Sequence, residues 1–178
     1  MKSIYIFLTK SDTCVSKMIS LATADEYTHI SIAFDKDLYP MYSFARKYLY
    51  TPLPAGLRIE PLQDGFYKRN DSIPCALYEL KVSEDSYYKA KALVTGMMEE
   101  ENLYKFNILG LVLCRMNISF KRNQHYFCSE FVSEVLMLSE ALQLPKNPSL
   151  MRPSDYTQLD ELDCLYEGQL RNLALGII

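Results

Sequence analysis

From Cys128 onward apolar residues recur at Phe131, Val132, Val135, Leu136 and Leu138, steps of three and four that lie on one side of a helix. The pattern predicts a helix over Cys128–Leu142, broken by Pro145 and Pro148. Upstream, Ser3–Thr9 is a short, nearly continuous apolar run, the mark of a buried strand. Val15, Met18, Ile19 and Ala22 share a helical face, so Asp12 or Thr13 is expected to cap a helix running to about Ala24. Tyr27–Phe34 alternates as a strand does, with Ile30, Ile32 and Phe34 on one side and His29, Ser31 and Ala33 on the other. A turn at Asp35-Lys36-Asp37 then returns the chain as a second strand, Leu38–Arg46.

The remainder follows the same logic. Residues 48–72 carry Pro52, Pro54, Gly56, Pro61 and Gly65, which predicts an irregular excursion with a short strand at Leu57–Glu60. Loops this long in compact domains are often functional or mobile. Ile73–Val82 reads as a strand, Ser83 as the cap of a helix through about Glu101, and Asn107–Asn117 as a short helix. Pro153-Ser154-Asp155 opens another short helix, and Leu165–Leu173 is expected to be the last strand. Strands interleaved with helices in this order point to an α+β fold, and the absence of any repeat or linker to a single domain over residues 1–178.

Composition narrows the function. A net charge of -3 gives no basic footprint for nucleic acid. The N-terminal apolar run stops at Thr9-Lys10-Ser11-Asp12, too soon for a secretory leader, and the run from Phe106 to Ile118 is too short to span a bilayer and contains Arg115. Five widely spaced cysteines, an odd number with no Cys-x-x-Cys, read as reduced thiols in a cytoplasmic protein. His125-x-x-Cys128 is half of a zinc pattern without a second half, so neither metal nor cofactor is expected.

The candidate chemistry lies in His125-Tyr126-Phe127-Cys128-Ser129-Glu130-Phe131-Val132, which sets a cysteine at a helix start. Free N–H groups and the helix dipole there favour negative charge, and the thiolate is the nucleophile. Only two histidines exist. His29 sits on its strand beside small residues, which leaves room for a helix end to pack close. Tyr42 and Ser43 on the returning strand both fall within register to orient its ring. His125 is the competing base, but it precedes the helix in the entering loop.

Tyr27-Thr28-His29-Ile30-Ser31-Ile32-Ala33, Tyr42-Ser43-Phe44-Ala45-Arg46 and Tyr126-Phe127-Cys128-Ser129-Glu130-Phe131-Val132 together resemble the circularly permuted papain-like proteins of the YiiX/YaeF kind, relatives of the NlpC-type cell-wall peptidases. The resemblance spans about residues 1 to 160. It implies a papain-like sheet packed on helices, with the histidine strand preceding the cysteine helix. It also implies a nucleophilic Cys128, a base at His29 and a polar third residue, Ser43, on the next strand. Many relatives carry His or Glu at that third place, so a serine is a departure.

The rival readings are structural. Cys128 reads as a buried helix cysteine if no base faces it, and Cys14, Cys75, Cys114 and Cys164 read as packing cysteines. Glu130 and Glu134 are explained by a solvated or capping face, and Glu99-Glu100-Glu101 by a charged helix end. The tyrosines at 39, 42, 48 and 50 either line a groove or mark strand edges. The expectation is a cysteine-dependent hydrolase or acyl transferase acting on an amide or ester of a peptide or small molecule, without stable membrane insertion. The alternatives are a non-catalytic binding module using the same cleft and a lipid acyl transferase at a membrane surface. The net negative charge and the lack of a basic amphipathic helix argue against the last.

Overall fold

The apolar run at the N-terminus becomes the central strand of a six-stranded sheet. The computed structural model describes residues 1–10, 25–46, 54–62, 67–68 and 71–174. Strand β1 (Lys2–Thr9) pairs antiparallel with β2 (His29–Ala33) on one side and β5 (Pro74–Val82) on the other. Outward from β2 come β3 (Met41–Arg46) and β4 (Ala55–Ile59), and β8 (Leu162–Gln169) flanks β5, giving the order β4-β3-β2-β1-β5-β8. Every pairing in this sheet is antiparallel. A separate parallel pair joins β6 (Lys105–Phe106) to β7 (His125–Tyr126). The chain is therefore α+β with a mostly antiparallel arrangement.

Both faces of the sheet are covered, in keeping with the unbroken apolar run of β1 from Ile4 to Leu8. Ile4, Ile6 and Leu8 point to one side, together with Ile30, Ile32, Phe34, Phe44 and Leu57. Two helices pack there: α1 (Glu84–Glu99) through Tyr87, Ala90 and Val94, and α3 (Cys128–Leu138) through Phe131, Val132, Val135 and Leu136. Tyr5 and Phe7 point to the other side, with Leu38, Met41, Tyr67 and Leu77. Full burial of Phe131 is worth about 2 kcal/mol by area alone, so this seam sets where α3 sits.

Local signals explain the helix starts. Ser83 caps α1 by accepting the Ser86 N–H at 3.0 Å, with Glu84 and Asp85 in its first turn. Asn107 caps α2 (Ile108–Arg115) by accepting the Gly110 N–H at 2.9 Å. Pro153–Gln158 forms a 3-10 helix, and α4 (Leu170–Ala174) follows β8.

Several expectations are corrected. Helix α3 ends at Leu138, well before the prolines, because the Ser139 hydroxyl donates back to the Val135 carbonyl at 2.7 Å and Glu140 takes a φ of 57°. Leu138 consequently lies outside the buried face and is exposed. The last strand starts earlier than Leu165 and gives way to α4 at Leu170. The excursion at 48–72 contributes a full sheet strand, β4, and the strand continues to pair with β3 over its whole length. The helix expected over Asp12–Ala24, Cys14, and Tyr48 and Tyr50 lie outside the described residues.

Candidate active site

His29 is the first residue of β2 and Cys128 the first of α3. Helix α3 packs across β2 and β3, and its first residue, Cys128, lies near enough to His29 to contribute to raising the imidazole pKa. The packing uses the Ile30, Ile32 and Phe34 side of β2, not the small-residue side that the alternation had suggested for a helix end. The volume argument misjudged what the small residues accommodate. Ser31 and Ala33 make room for a polar cluster on the opposite face, beneath Met41 and Tyr67.

That cluster is built by strand register. Ile32 lies opposite Tyr42, so continuing the pairing by one residue sets Ser43 against Ser31. Ser43 in turn lies opposite Arg58 on β4, and the Glu60 N–H bonds to the Met41 carbonyl at 2.8 Å. Cross-strand neighbours share a face, so His29, Ser31, Ser43 and Glu60 converge. Glu60 Oε2 stands 2.7 Å from His29 Nε2 and accepts the Ser31 hydroxyl at 2.9 Å. Ser43 Oγ is 3.1 Å from the same ring nitrogen. Tyr42 turns to the other face, where its ring packs on Phe34 at 6.3 Å.

Ser43 stands where the sequence placed it, on the neighbouring antiparallel strand with its hydroxyl towards the imidazole, and Glu60, which the sequence reading did not include, makes the shorter contact to the same nitrogen. A carboxylate only accepts, so Nε2 carries a proton and Nδ1 is the nitrogen left to face the thiol. The charge balance agrees. Burial alone would lower the His29 pKa, but the Glu60 carboxylate, hydrogen bonds to Cys128 and Glu60, and the charge on Cys128 together raise it well above the ordinary imidazole range. Burial pushes the Glu60 carboxyl up, yet the His29 charge, hydrogen bonds from His29 and Ser31, and the Arg58 charge bring it below its ordinary value. The hydroxyl of Tyr67, raised far by burial and by the Glu60 charge, covers this cluster near Thr9 and Ser31.

Around Cys128 the helix start supplies further chemistry. Phe127 is the N-cap, with extended backbone, so the N–H groups of the first turn lie free of intrahelical partners. Cys128 is 8% exposed, with the fully buried Phe127 and nearly buried Ser129 on either side. The competing histidine is elsewhere engaged: His125 lies in β7, and its Nδ1 is 2.8 Å from the Asn123 carbonyl.

Glu130 and Glu134 are not solvated, although Glu130, in the first turn of α3 and accepting from the backbone of the N-cap Phe127, fits the capping half of the expectation. Glu130 is fully buried, its Oε2 accepting from Asn107 Nδ2 at 3.3 Å. Burial raises its pKa to about 7, against the Asn107 hydrogen bond and the Phe127 backbone N–H. Glu134 is nearly buried and accepts from Lys121 Nζ at 2.8 Å and from Tyr126 at 3.2 Å. Of the remaining cysteines described, Cys75 and Cys114 are buried as expected, whereas Cys164 is exposed on β8. Exposure is natural there, because β8 is an edge strand.

Sequence reasoning missed Glu60 as a functional residue. The available signal was its alternation with Arg58 in a short strand next to a Pro-rich stretch, which aims two charged side chains to one face. No family model matches the chain, and no curated protein sequence matches it. Among the described residues no helix is long and apolar enough to cross a membrane.

Proposed function

We propose that this protein is a cysteine-dependent hydrolase or acyl transferase that acts on an amide or ester through Cys128, His29 and Glu60, in a circularly permuted papain-like fold. The observation that supports the reading is the position of His29, held at 2.7 Å by Glu60 through Nε2, its pKa raised by the Glu60 charge and by the neighbouring Cys128 thiol. That arrangement supports Cys128 acting as nucleophile, His29 as base and Glu60 as orienting group.

In the first half-reaction the Cys128 sulfur bonds to the substrate carbonyl carbon while His29 holds the thiol proton. The tetrahedral oxyanion is met by the free N–H groups at the start of α3, including that of Cys128 itself. The carbon–nitrogen or carbon–oxygen bond then breaks, and His29 passes its proton to the leaving group. Water or an acceptor amine attacks the thioester, His29 takes its proton, and the sulfur leaves. Glu60 keeps the ring oriented and stabilises its positive charge throughout.

The binding-module alternative drew its support from a serine at the third place, and a carboxylate there weakens it. The test is to react the protein with an activated ester and with iodoacetamide near neutral pH. The reading expects an acyl-enzyme on Cys128 by mass spectrometry and faster alkylation of Cys128 than of Cys164, the exposed internal reference. Equal alkylation rates, unchanged by His29→Ala, sink it.

A further inference from the structure

The chain between α1 and α3 carries an outward apolar face. In α2, Ile108, Leu109, Val112 and Met116 are 48%, 50%, 52% and 64% exposed. At 3.6 residues per turn they fall on one stripe about 100° wide, opposite the buried Gly110 and Cys114. A surface helix ordinarily turns polar residues to water there, so an apolar stripe of this width marks an interaction surface. Ile118 extends it. The Asn117 backbone takes a φ of 58°, and the Ile118 N–H closes on the Leu113 carbonyl at 2.9 Å, which holds this exposed residue at the end of the helix.

Charge is distributed to match. The chain carries a net charge of -3, yet residues 102–129 contain Lys105, Arg115, Lys121 and Arg122 and no Asp or Glu. Arg115 pairs with Asp25 and Lys121 with Glu134. Lys105 and Arg122 are exposed and form no ion pair among the described residues. Backbone pairing sets these two side by side: Lys105 of β6 lies opposite His125 of β7, and His125 bridges to Arg122. Lys105 precedes Ile108 by three residues, a reach of at most ~11 Å of extended chain. The basic group therefore sits at the entry end of the stripe.

An apolar stripe beside uncompensated cations is the pattern of a helix that lies in a lipid interface. Its apolar side chains enter among the acyl chains, and its cations meet anionic headgroups. A second copy of this chain fits less well. A twofold contact through the stripe would bring Lys105 and Arg122 of both copies into one interface, and residues 102–129 offer no acid to meet them.

We propose that α2 and Ile118, with Lys105 and Arg122, form a docking surface for an anionic lipid bilayer, on which the protein lies peripherally without spanning it. A net charge counted over the whole chain does not reveal this patch. The surface is independent of the chemistry of Cys128, and its test needs no turnover.

The chain contains no tryptophan, so Val112→Trp places a single indole on the stripe. Its emission should be that of an exposed indole in buffer. It should shift to the blue with vesicles of phosphatidylcholine and phosphatidylglycerol, and brominated acyl chains should quench it. The wild-type protein should co-sediment with those vesicles about tenfold more strongly than with pure phosphatidylcholine, and added salt should remove most of the difference. Lys105→Gln combined with Arg122→Gln should remove the same difference. Leu109→Gln combined with Met116→Gln should weaken binding to both kinds of vesicle. Wild-type binding no stronger to anionic than to neutral vesicles overturns the proposal, and this comparison decides if a variant fails to fold. Binding unmoved by both pairs of substitutions in folded protein also overturns it. So does an indole emission already shifted to the blue without vesicles. That result would give the stripe to a second copy if the shift fades on dilution, and to another segment of this chain if it persists.

Discussion

Glu60 Oε2 lies 2.7 Å from His29 Nε2, although the two residues are 31 positions apart, His29 opening β2 and Glu60 directly following the non-adjacent strand β4. The contact crosses over β3, where Ser43 stands 3.1 Å from the same nitrogen. It fixes the imidazole tautomer and leaves the other ring nitrogen for the thiol. The first consequence is a ranking of partners. Glu60→Gln removes the charge that raises the His29 pKa, whereas Ser43→Ala removes one neutral contact. Glu60→Gln should lower the imidazole pKa, followed by NMR, by about one unit or more, and slow Cys128 alkylation about tenfold. A larger effect from Ser43→Ala would restore the serine as the orienting residue.

Cys128→Ala should abolish thioester formation and hydrolysis of activated esters. The helix seam is made by Phe131, Val132, Val135 and Leu136, so the fold loses little with the thiol. A cost of about 1 kcal/mol corresponds to a melting point lower by roughly 2–4 °C. Thermal unfolding beside the ester assay checks both halves. A much larger drop would make Cys128 chiefly a packing residue.

Glu130 gives a pH dependence of stability. Its carboxyl has an ordinary value of 4.5 and is raised to about 7 by burial. Between those values the unfolded chain has lost this proton and the folded protein has kept it. Fewer protons bound in the unfolded state means that stability falls as pH rises. The contribution from this group should therefore be fully present below about pH 4.5 and decline by up to about 3 kcal/mol as pH passes 7. Glu130→Gln should flatten that part of the profile in denaturant titrations run across the range. An unchanged slope would show that the carboxyl is ionised in the fold.

Gly110→Ala should destabilise, although alanine is the better helix former. A Cβ at 110 would meet Asn107 Nδ2 at 2.2 Å and its Cγ at 2.6 Å. The Asn107 side chain would have to leave, breaking the cap to Gly110 and the hydrogen bond to Glu130. Loss of a cap and of a buried polar contact costs about 2 kcal/mol, against about 1 kcal/mol gained in propensity. Urea unfolding should thus show a net loss of about 1 kcal/mol or more; a gain would mean that Asn107 relocates without cost.

Much of the fold was legible along the chain because its signals are local. The apolar run of β1, the alternation in β2, the Ser83 and Asn107 caps and the periodicity of α3 each depend on neighbours within a few residues. The candidate nucleophile and its candidate base were legible for the same reason: a cysteine at a helix start and a histidine on an alternating strand are local patterns. The local reading erred in two ways. It overlooked a local bond, the Ser139 hydroxyl to the Val135 carbonyl, at the end of α3, and it could not foresee that β8 would join β5 in a register that left Leu170 to a helix.

The sequence by itself determined the α+β class, most of the elements and the pairing of Cys128 with His29 as candidates, through period, capping and residue chemistry. Only the tertiary structure decided what surrounds them. Glu60 reaches His29 because β3 and β4 stack their registers. Glu130 is buried because α2 delivers Asn107 onto it, and Asp25 gathers Arg115 and Arg152 from two distant segments. Burial and charge proximity arise from how elements pack, and no pattern within one element encodes them.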